Sequence, residues 1–274
     1  MERNYTLPSW LDKAIYEDLR APYETQNCSL NIIDMNKDEL LSYVGTYLPR
    51  TYVEATALFG HAIEIGALDT SKTELTVFDF GCGSGGELIG LFDIVSAHFP
   101  HLNSVTIFVC EGNPEHLSFF DTFLTYARQR VPFAINTHVA YGKITSLDDM
   151  RALSNRLASI ASFDIICTFK ALCELSDKSI LDGKNPYTTF LSIFRKNLAE
   201  DGICVMEDLT FKDKNTGQWL GTWMKMVDNF YPQALVASHE MVCGDDAYNM
   251  GFTVSHSRKT LDTSKVCWRI LKKC

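Results

Sequence analysis

The 274-residue chain carries a formal net charge of −9, and 46% of its residues are hydrophobic. This length suits one large α/β domain with a helical appendage, or two small domains. The acidic balance argues against an extensive contact with a nucleic-acid backbone, and no apolar run reaches the roughly 18 residues of a membrane span. The N-terminus has no secretory pattern and the nine cysteines include no CxxC pair, so we expect a cytoplasmic protein.

The first 72 residues have helical patterns and are predicted to form a cap or lid ahead of a second region, 73–274. Ser9 followed by Asp12 has the pattern of a capping box and predicts a helix over residues 9–20. Asp38 is a candidate cap for a second helix, and Pro49 predicts a break before a third helical segment.

From residue 74 the chain alternates apolar runs with amphipathic helices. Apolar runs of this kind, separated by helices, are typical of a parallel sheet that is covered on both faces. Asn113-Pro114 and Asn185-Pro186 each place a capping side chain before a proline at the first helical position. The predicted strands are 75–80, 105–110, 134–139, 163–168 and 202–207, followed by three β-like runs at 235–242, 252–255 and 266–271 that favour an antiparallel edge.

A glycine-rich loop connects the first predicted strand to a helix. Glycines there allow positive φ angles, let the backbone approach a ligand and expose the first N–H groups of the helix. By spacing alone, Gly81-x-Gly83-x-x-Gly86 also satisfies the dinucleotide fingerprint, which keeps an NAD-dependent oxidoreductase as an alternative. Asp79 favours a cationic ligand, because a carboxylate is a poor neighbour for pyrophosphate. The other interpretation of Asp79 is a cap for the loop's own N–H groups.

Two motifs resemble the class I S-adenosylmethionine-dependent methyltransferases. Asp79-x-Gly81-x-Gly83-x-Gly85 is similar to the first motif of that superfamily, which lies under the methionine part of the cofactor. At the end of the second strand, Cys110-Glu111-Gly112-Asn113 supplies the acid that in the superfamily holds both ribose hydroxyls. Asn113 is also a helix cap by position. The resemblance implies these cofactor-binding residues: Asp79, Gly81, Cys82, Gly83, Gly85, Glu111, Gly112 and Asn113.

The same resemblance implies a Rossmann-like sheet of about seven mostly parallel strands, with S-adenosylmethionine bound by the region 73–274. It implies direct methyl transfer from the sulfonium to an acceptor, for which positioning matters more than a fixed catalytic triad. We expect a small-molecule or peptide acceptor rather than nucleic acid, because the chain is acidic and lacks an Asp/Asn-Pro-Pro-aromatic motif. A non-catalytic module that retains this fold is a further alternative.

The ends of the fourth and fifth strands supply the remaining candidates. Phe169 and Lys170 are expected to reach cofactor or substrate, because ligands of open α/β sheets lie outside the carboxyl ends of the strands. Lys170 is a candidate for orienting an anionic acceptor or, if burial lowers its pKa, for acting as a base; a surface lysine is the equal alternative. Glu174 is a catalytic candidate or a helical ion-pair partner of Lys170. Glu207 and Asp208 are expected to face the same cleft, where they are candidates for selecting a cationic or hydroxylic acceptor or for providing a general base, and Glu207 is the third catalytic candidate.

Aromatic residues are candidates for the walls of the cleft, although such residues more often belong to the core. No histidine groups with carboxylates at metal-ligand spacing, so no metal site is predicted. The candidate wall residues are Tyr43, Tyr47, Tyr52, Trp219 and Trp223.

Overall fold

The computed structural model describes residues 4–24, 32–230, 235–239 and 251–273. The strands are β1 (Asn4–Thr6), β2 (Glu74–Phe80), β3 (Ser104–Glu111), β4 (Ala134–Tyr141), β5 (Phe163–Phe169), β6 (Leu198–Leu209), β7 (Leu235–His239), β8 (Phe252–His256), β9 (Lys259–Ser264) and β10 (Val266–Lys272). The helices are α1 (Ser9–Lys13), α2 (Lys37–Glu64), α3 (Gly86–His98), α4 (Pro114–Arg128), α5 (Leu147–Ala158), α6 (Leu172–Asp177), α7 (Pro186–Phe194), α8 (Leu220–Lys225) and α9 (Val227–Phe230).

Seven strands form the central sheet in the order β4-β3-β2-β5-β6-β10-β7. The pairs from β4 to β6 are all parallel, and β10 runs antiparallel to both β6 and β7. The predicted mostly parallel sheet with an antiparallel C-terminal strand is therefore confirmed, with β10 lying one strand inside the edge. Because the chain leaves β2 in one direction and returns to β5 on its other side, the topological switch point lies between these two strands.

Helices cover both faces of this sheet, as the alternation within β2 illustrates. Leu75 and Val77 belong to an apolar cluster with α2, α3 and α4, whereas Phe78 and Phe80 belong to the cluster on the opposite face with α5, α7 and α8. Among the described helices, none has the length and apolarity needed to cross a membrane. The sheet is thus a layer buried on both sides, and ligands have access at its strand ends.

Helix α2 is one continuous helix, so the predicted break at Pro49 is wrong. The proline lacks the N–H group that would bond to the carbonyl of Gly45, and that carbonyl instead accepts a hydrogen bond from the Tyr16 hydroxyl at 2.7 Å. The cap is also different from the predicted Asp38, because Asn36 and Glu39 form a capping box at the start of the helix.

The N-terminal segment is less helical than predicted. Residues 4–6 form strand β1, which pairs in parallel with β8 in a small three-stranded sheet that also contains β9. The helical stretch that follows is α1 and then a π-helical segment, Ala14–Asp18, without a side-chain cap at its start. Asp12 does not close a capping box; its carboxylate accepts a hydrogen bond from the backbone of Ser257 at 2.8 Å. Residues from both ends of the chain therefore pack together.

The five predicted strands of the parallel region are confirmed, each within a few residues of its predicted bounds. Of the last β-like runs, 252–255 and 266–271 are confirmed as β8 and β10, and 235–242 is confirmed as far as residue 239; the rest of it lies outside the described residues. Strand β9 was not predicted, because its sequence Lys-Thr-Leu-Asp-Thr-Ser has no apolar alternation.

Candidate functional site

A cleft opens at the carboxyl ends of β2, β3 and β5, beside the switch point of the sheet. Its first chamber is open to solvent and is lined by residues of the glycine loop, of the segment before α2 and of the turns that follow β3 and β5. A second, smaller chamber continues from it between the glycine loop and α2. Five residues line both chambers, namely Tyr43, Gly81, Gly83, Phe169 and Lys170.

The glycine loop owes its shape to positive φ angles at Gly81, Gly83 and Gly85, which are +78°, +49° and +82°. A Cβ atom at Gly81 would lie 2.4 Å from the Cβ of Ala171, and one at Gly85 would lie 2.5 Å from the ring of Phe120. These two glycines are therefore required by packing as well as by the turn. Gly85 packs away from the cleft, whereas Gly81 and Gly83 line it.

Asp79 is fully buried beneath this loop, at the end of β2. Neither of its oxygens accepts a hydrogen bond from an N–H or hydroxyl group of the described residues; its polar neighbours are the carboxyl of Glu87 and the thiol of Cys167. Burial, with a contribution from Glu111, raises the pKa of Asp79 to about 7. Burial and the adjacent Asp79 also raise the pKa of Glu87 well above its ordinary value. A buried carboxyl pair that forms no salt bridge with the described residues thus lies beside the second chamber, which Glu87 lines.

Glu111, rather than Asp79, caps the N–H groups of the loop. Its carboxylate accepts hydrogen bonds from the backbone N–H groups of Gly83 at 2.9 Å and of Asn113 at 2.8 Å. Each oxygen can accept a further bond, because an ionised carboxylate offers about four acceptor positions. Since Glu111 lines the first chamber, it can receive two hydroxyl groups of a ligand there.

Asn113 acts as a helix cap and as a tether. Its carbonyl oxygen accepts a bond from the N–H of Glu115, and its amide donates to the carbonyls of Ile32 and Met35 at 2.9 and 3.0 Å. Asn113 lines neither chamber; it holds the segment before α2 over the cleft. In the same region, a Cβ at Gly112 would lie 2.8 Å from the side chain of Ile33, so this glycine permits that close packing.

Lys170 is neither a surface lysine nor a deprotonated one. It is only 9% exposed, its φ angle is +59°, and its ammonium contacts the carboxylate of Glu54 and the hydroxyl of Thr51. Burial lowers the pKa of Lys170, but the charges of Glu207 and Glu54 outweigh burial and raise the pKa above its ordinary value. The expectation that burial would make this lysine a base is therefore wrong.

The acids after β5 and β6 have different surroundings. Glu174 lines the first chamber, but Glu207 lies behind Lys170 beside Glu54, and burial raises its pKa well above the ordinary value. Asp208 accepts hydrogen bonds from the backbone of Cys173 at 3.0 Å and from the hydroxyl of Tyr187 at 3.1 Å, so it is a structural residue. The prediction that Glu207 and Asp208 face the cleft is therefore wrong.

The sequence did not identify His116 as a residue of the cleft. Its Nδ1 atom lies 2.8 Å from the hydroxyl of Ser84, burial lowers its pKa to about 4, and its Nε2 atom has no hydrogen-bond partner among the described residues. His116 lies in the first turn of α4, directly behind the Asn113 cap, and packs against the glycine loop. Its position three residues after that cap is the only sequence signal for it.

The predicted aromatic walls are confirmed for Tyr43 alone among the candidates. Tyr43 lines both chambers and packs against Tyr47, with ring centroids 4.8 Å apart. The hydroxyl of Tyr52 donates to Asp93 at 2.7 Å between α2 and α3, and Trp223 is a buried core residue.

Cys82 lines the second chamber as a buried thiol whose pKa is raised well above its ordinary value by burial.

The sequence matches no protein-family model and no curated protein. Several solved methyltransferase structures are similar in fold. One is precorrin-6y C5,15-methyltransferase from Geobacter metallireducens, with 18% identity, a TM-score of 0.40 and coverage of 77% of this chain and 86% of that one. Another is an rRNA methyltransferase from Streptomyces viridochromogenes, with 15% identity, a TM-score of 0.46 and coverage of 81% of this chain and 84% of that one. A third is human methyltransferase-like protein 13 in complex with S-adenosylhomocysteine, with 14% identity, a TM-score of 0.40 and coverage of 79% of this chain and 82% of that one. At these identities and TM-scores, the likeness is one of fold.

Proposed function

We propose that this chain is an S-adenosylmethionine-dependent methyltransferase. The observation that carries the proposal is the buried carboxyl pair Asp79 and Glu87, which forms no salt bridge with the described residues and lies at the foot of the cleft. A buried carboxylate is costly unless a charge or hydrogen-bond donor compensates it. A ligand with an ammonium group and a sulfonium supplies that compensation.

The walls of the cleft fit the parts of this cofactor. Glu111 is placed in the first chamber to hold a ribose diol, and the apolar side chains of Ile33 and Ile144 offer surface to a purine. Where the two chambers meet, Tyr43 and Phe169 present aromatic rings, which attract a cationic sulfur. The amino-acid end of the cofactor then lies in the second chamber, against the glycine loop.

When bound, this cofactor supplies an electrophilic methyl group, and the chain positions the two reactants and excludes water from them. Tyr43, Thr51 and Ile33 come from the N-terminal region, so residues 1–72 are proposed to cap the cofactor held by residues 73–274. The acceptor is proposed to be a small molecule or a peptide, in line with the net charge of −9. Among the catalytic candidates, only Glu174 and Lys170 line the first chamber, and Glu207 acts through Lys170.

A dinucleotide is a poorer fit to the same cleft. Three carboxyl groups, of Asp79, Glu87 and Glu111, surround the glycine loop, where a pyrophosphate would carry two further negative charges. In the common dinucleotide-binding sheet, with strand order 3-2-1-4-5-6, the sixth strand in chain order lies beside the fifth. Here the strand beside β6, the fifth strand of the sheet, is instead β10, and it runs antiparallel to β6.

Calorimetric titration with S-adenosylhomocysteine, S-adenosylmethionine and NAD⁺ tests the proposal. We expect binding of both adenosyl ligands and none of NAD⁺; the reverse pattern would overturn it. Incubation with methyl-labelled cofactor and fractionated cell extract then separates an enzyme from a binding module. A module that binds the cofactor but transfers no label to any size class would contradict the proposed activity.

A further inference from the structure

Strand β4 ends the central sheet on one side, and among the described strands only β3 pairs with it. Edge strands of soluble proteins commonly carry charged residues, prolines or bulges that block pairing with another chain. The sequence Ala134–Tyr141 contains no Lys, Arg, Asp, Glu or Pro, and β4 pairs with β3 in continuous register without a bulge. The outer side of β4 is therefore a regular edge that can accept a further strand.

The hydrogen bonds to the β3 side show which backbone groups of β4 point outward. The N–H groups of Ala134 and Gly142, at the two ends of the strand, both donate to that side, at 2.9 and 3.2 Å. Alternate residues of a parallel strand turn their N–H and C=O groups to the same neighbour, so the even-numbered residues face β3 and the odd-numbered residues face outward. Among the described residues, nothing bonds to the backbone N–H and C=O groups of Thr137 or Val139.

The side chain of Arg128 covers only the first half of this edge. Its guanidinium, in the last turn of α4, donates to the carbonyl of Ile135 at 3.4 Å and to the hydroxyl of Thr137 at 3.1 Å. Farther along the strand, the side chain of Val139 is 52% exposed. A β-branched residue is suited to a paired strand, so its exposure on an open edge marks the position of a partner strand.

We infer that two copies of this chain form a dimer through antiparallel pairing of their β4 strands, about a two-fold axis at Val139. In this register Val139 lies opposite Val139 of the second copy, and Thr137 lies opposite Tyr141, so the outward backbone groups of the two strands form hydrogen-bonded pairs. Residues 137–141 include no acidic residue, lysine or arginine, so no like charges meet in the paired segment. A two-fold contact uses the same patch on both copies and closes at the dimer.

This pairing leaves the candidate functional site open. Because the two sheets run in opposite directions across the axis, the carboxyl ends of β2, β3 and β5 lie at opposite ends of the dimer. Each cleft then opens on its own side. The inference therefore stands or falls independently of the proposed function.

Sedimentation velocity over a series from about 1 to about 300 µM tests the pairing. We expect the wild type to shift reversibly from the 30.9 kDa monomer to a dimer as the concentration rises. Val139→Lys places two ammonium groups opposite each other at the axis and should weaken dimerisation by about 10-fold or more. Ile160→Lys is the matched control, because Ile160 is 55% exposed and lies just after α5, away from β4; it should dimerise like the wild type. A wild type that stays monomeric over the whole series, or that forms species larger than a dimer, would overturn the inference.

A cross-link locates the contact in a second way. In Val139→Cys the two thiols face each other at the axis, with Cα atoms about 5.5 Å apart, which is within the range of a disulfide. We expect mild oxidation to give a covalent dimer that mass spectrometry shows to be linked between the two positions 139, whereas Ile160→Cys should cross-link no more than the wild type. Circular dichroism and thermal denaturation report whether each variant is folded. A dimer that persists unchanged in Val139→Lys, or that cross-links only through other cysteines, has a different interface, and the inference is then wrong.

Discussion

The carboxyl groups of Asp79 and Glu87 are neighbours, fully enclosed beneath the glycine loop, one at the end of β2 and the other in the first turn of α3. Burial favours the protonated form of both carboxyl groups and raises the pKa of Asp79 to about 7, and the adjacent Asp79 also raises the pKa of Glu87. In the folded protein without ligand, these carboxyl groups therefore keep protons at pH values where the same groups in the unfolded chain have lost them. This difference makes both folding and ligand binding depend on pH.

The stability of the empty protein is predicted to fall as the pH rises from 5 to 8. The pKa of Asp79 is raised from 3.8 to about 7, so in this window the folded state binds more protons than the unfolded state. Stability must then decrease with rising pH. In Asp79→Asn the decrease in Tm between pH 5 and 8 should be smaller than in the wild type. The exposed Asp121→Asn is the control, and an equal slope in all three proteins would refute the argument.

Binding of S-adenosylhomocysteine is predicted to release protons and to strengthen between pH 6 and 8. The ligand's ammonium favours the ionised forms of Asp79 and Glu87, so protons leave the pair on binding. Calorimetry in phosphate and in Tris, which have different heats of ionisation, measures the number released. Asp79→Asn should release fewer. Identical binding heats in the two buffers would show that the pair does not meet the ligand.

The order of strands and helices could be predicted because its signals are local. The runs that form β2 and β3 are continuous and apolar, and Asn113-Pro114 and Asn185-Pro186 mark helix starts through contacts within three residues. The glycine loop with Asp79 likewise combines a turn, a strand end and a helix start within a few residues. The region of the cleft could therefore be found from the sequence.

The polar contacts that complete the cleft could not be predicted, because they join distant parts of the chain. Lys170 meets Glu54, 116 residues away, and the pKa of Lys170 reflects its burial and the charges of Glu207 and Glu54 rather than its own sequence context. Pro49 lies within α2 because the hydroxyl of Tyr16 bonds to the carbonyl that the proline leaves free. A local sequence pattern does not show that a residue far away in the chain will make the compensating hydrogen bond or ion pair.

Replacement of Glu111 is predicted to weaken every ligand that contains a ribose. Glu111→Ala removes the acceptor for a diol and leaves the N–H groups of Gly83 and Asn113 without their partner. We expect a loss of about 10- to 100-fold in affinity for both S-adenosylhomocysteine and methylthioadenosine. Glu115→Ala, in the first turn of the following helix α4 and outside both chambers, is the control. Unchanged affinity in Glu111→Ala, measured by calorimetry, would remove this residue from the site.

A methyl group at Gly81 is predicted to damage the cleft more than the same change at Gly66. Both glycines have positive φ angles, +78° and +71°, so each substitution to alanine costs about 1 kcal/mol for the backbone alone. At Gly66 nothing lies within 4 Å of the new Cβ, whereas at Gly81 it would lie 2.4 Å from the Cβ of Ala171. Relief of that clash must displace Ala171 and with it the adjoining Lys170, at a further cost of about 1–3 kcal/mol. Chemical denaturation should therefore show a larger loss of stability in Gly81→Ala, and only this variant should lose affinity for S-adenosylhomocysteine. Equal losses of stability with normal binding in both variants would mean that the loop yields without moving Lys170, and that its close packing against Ala171 does not shape the cleft.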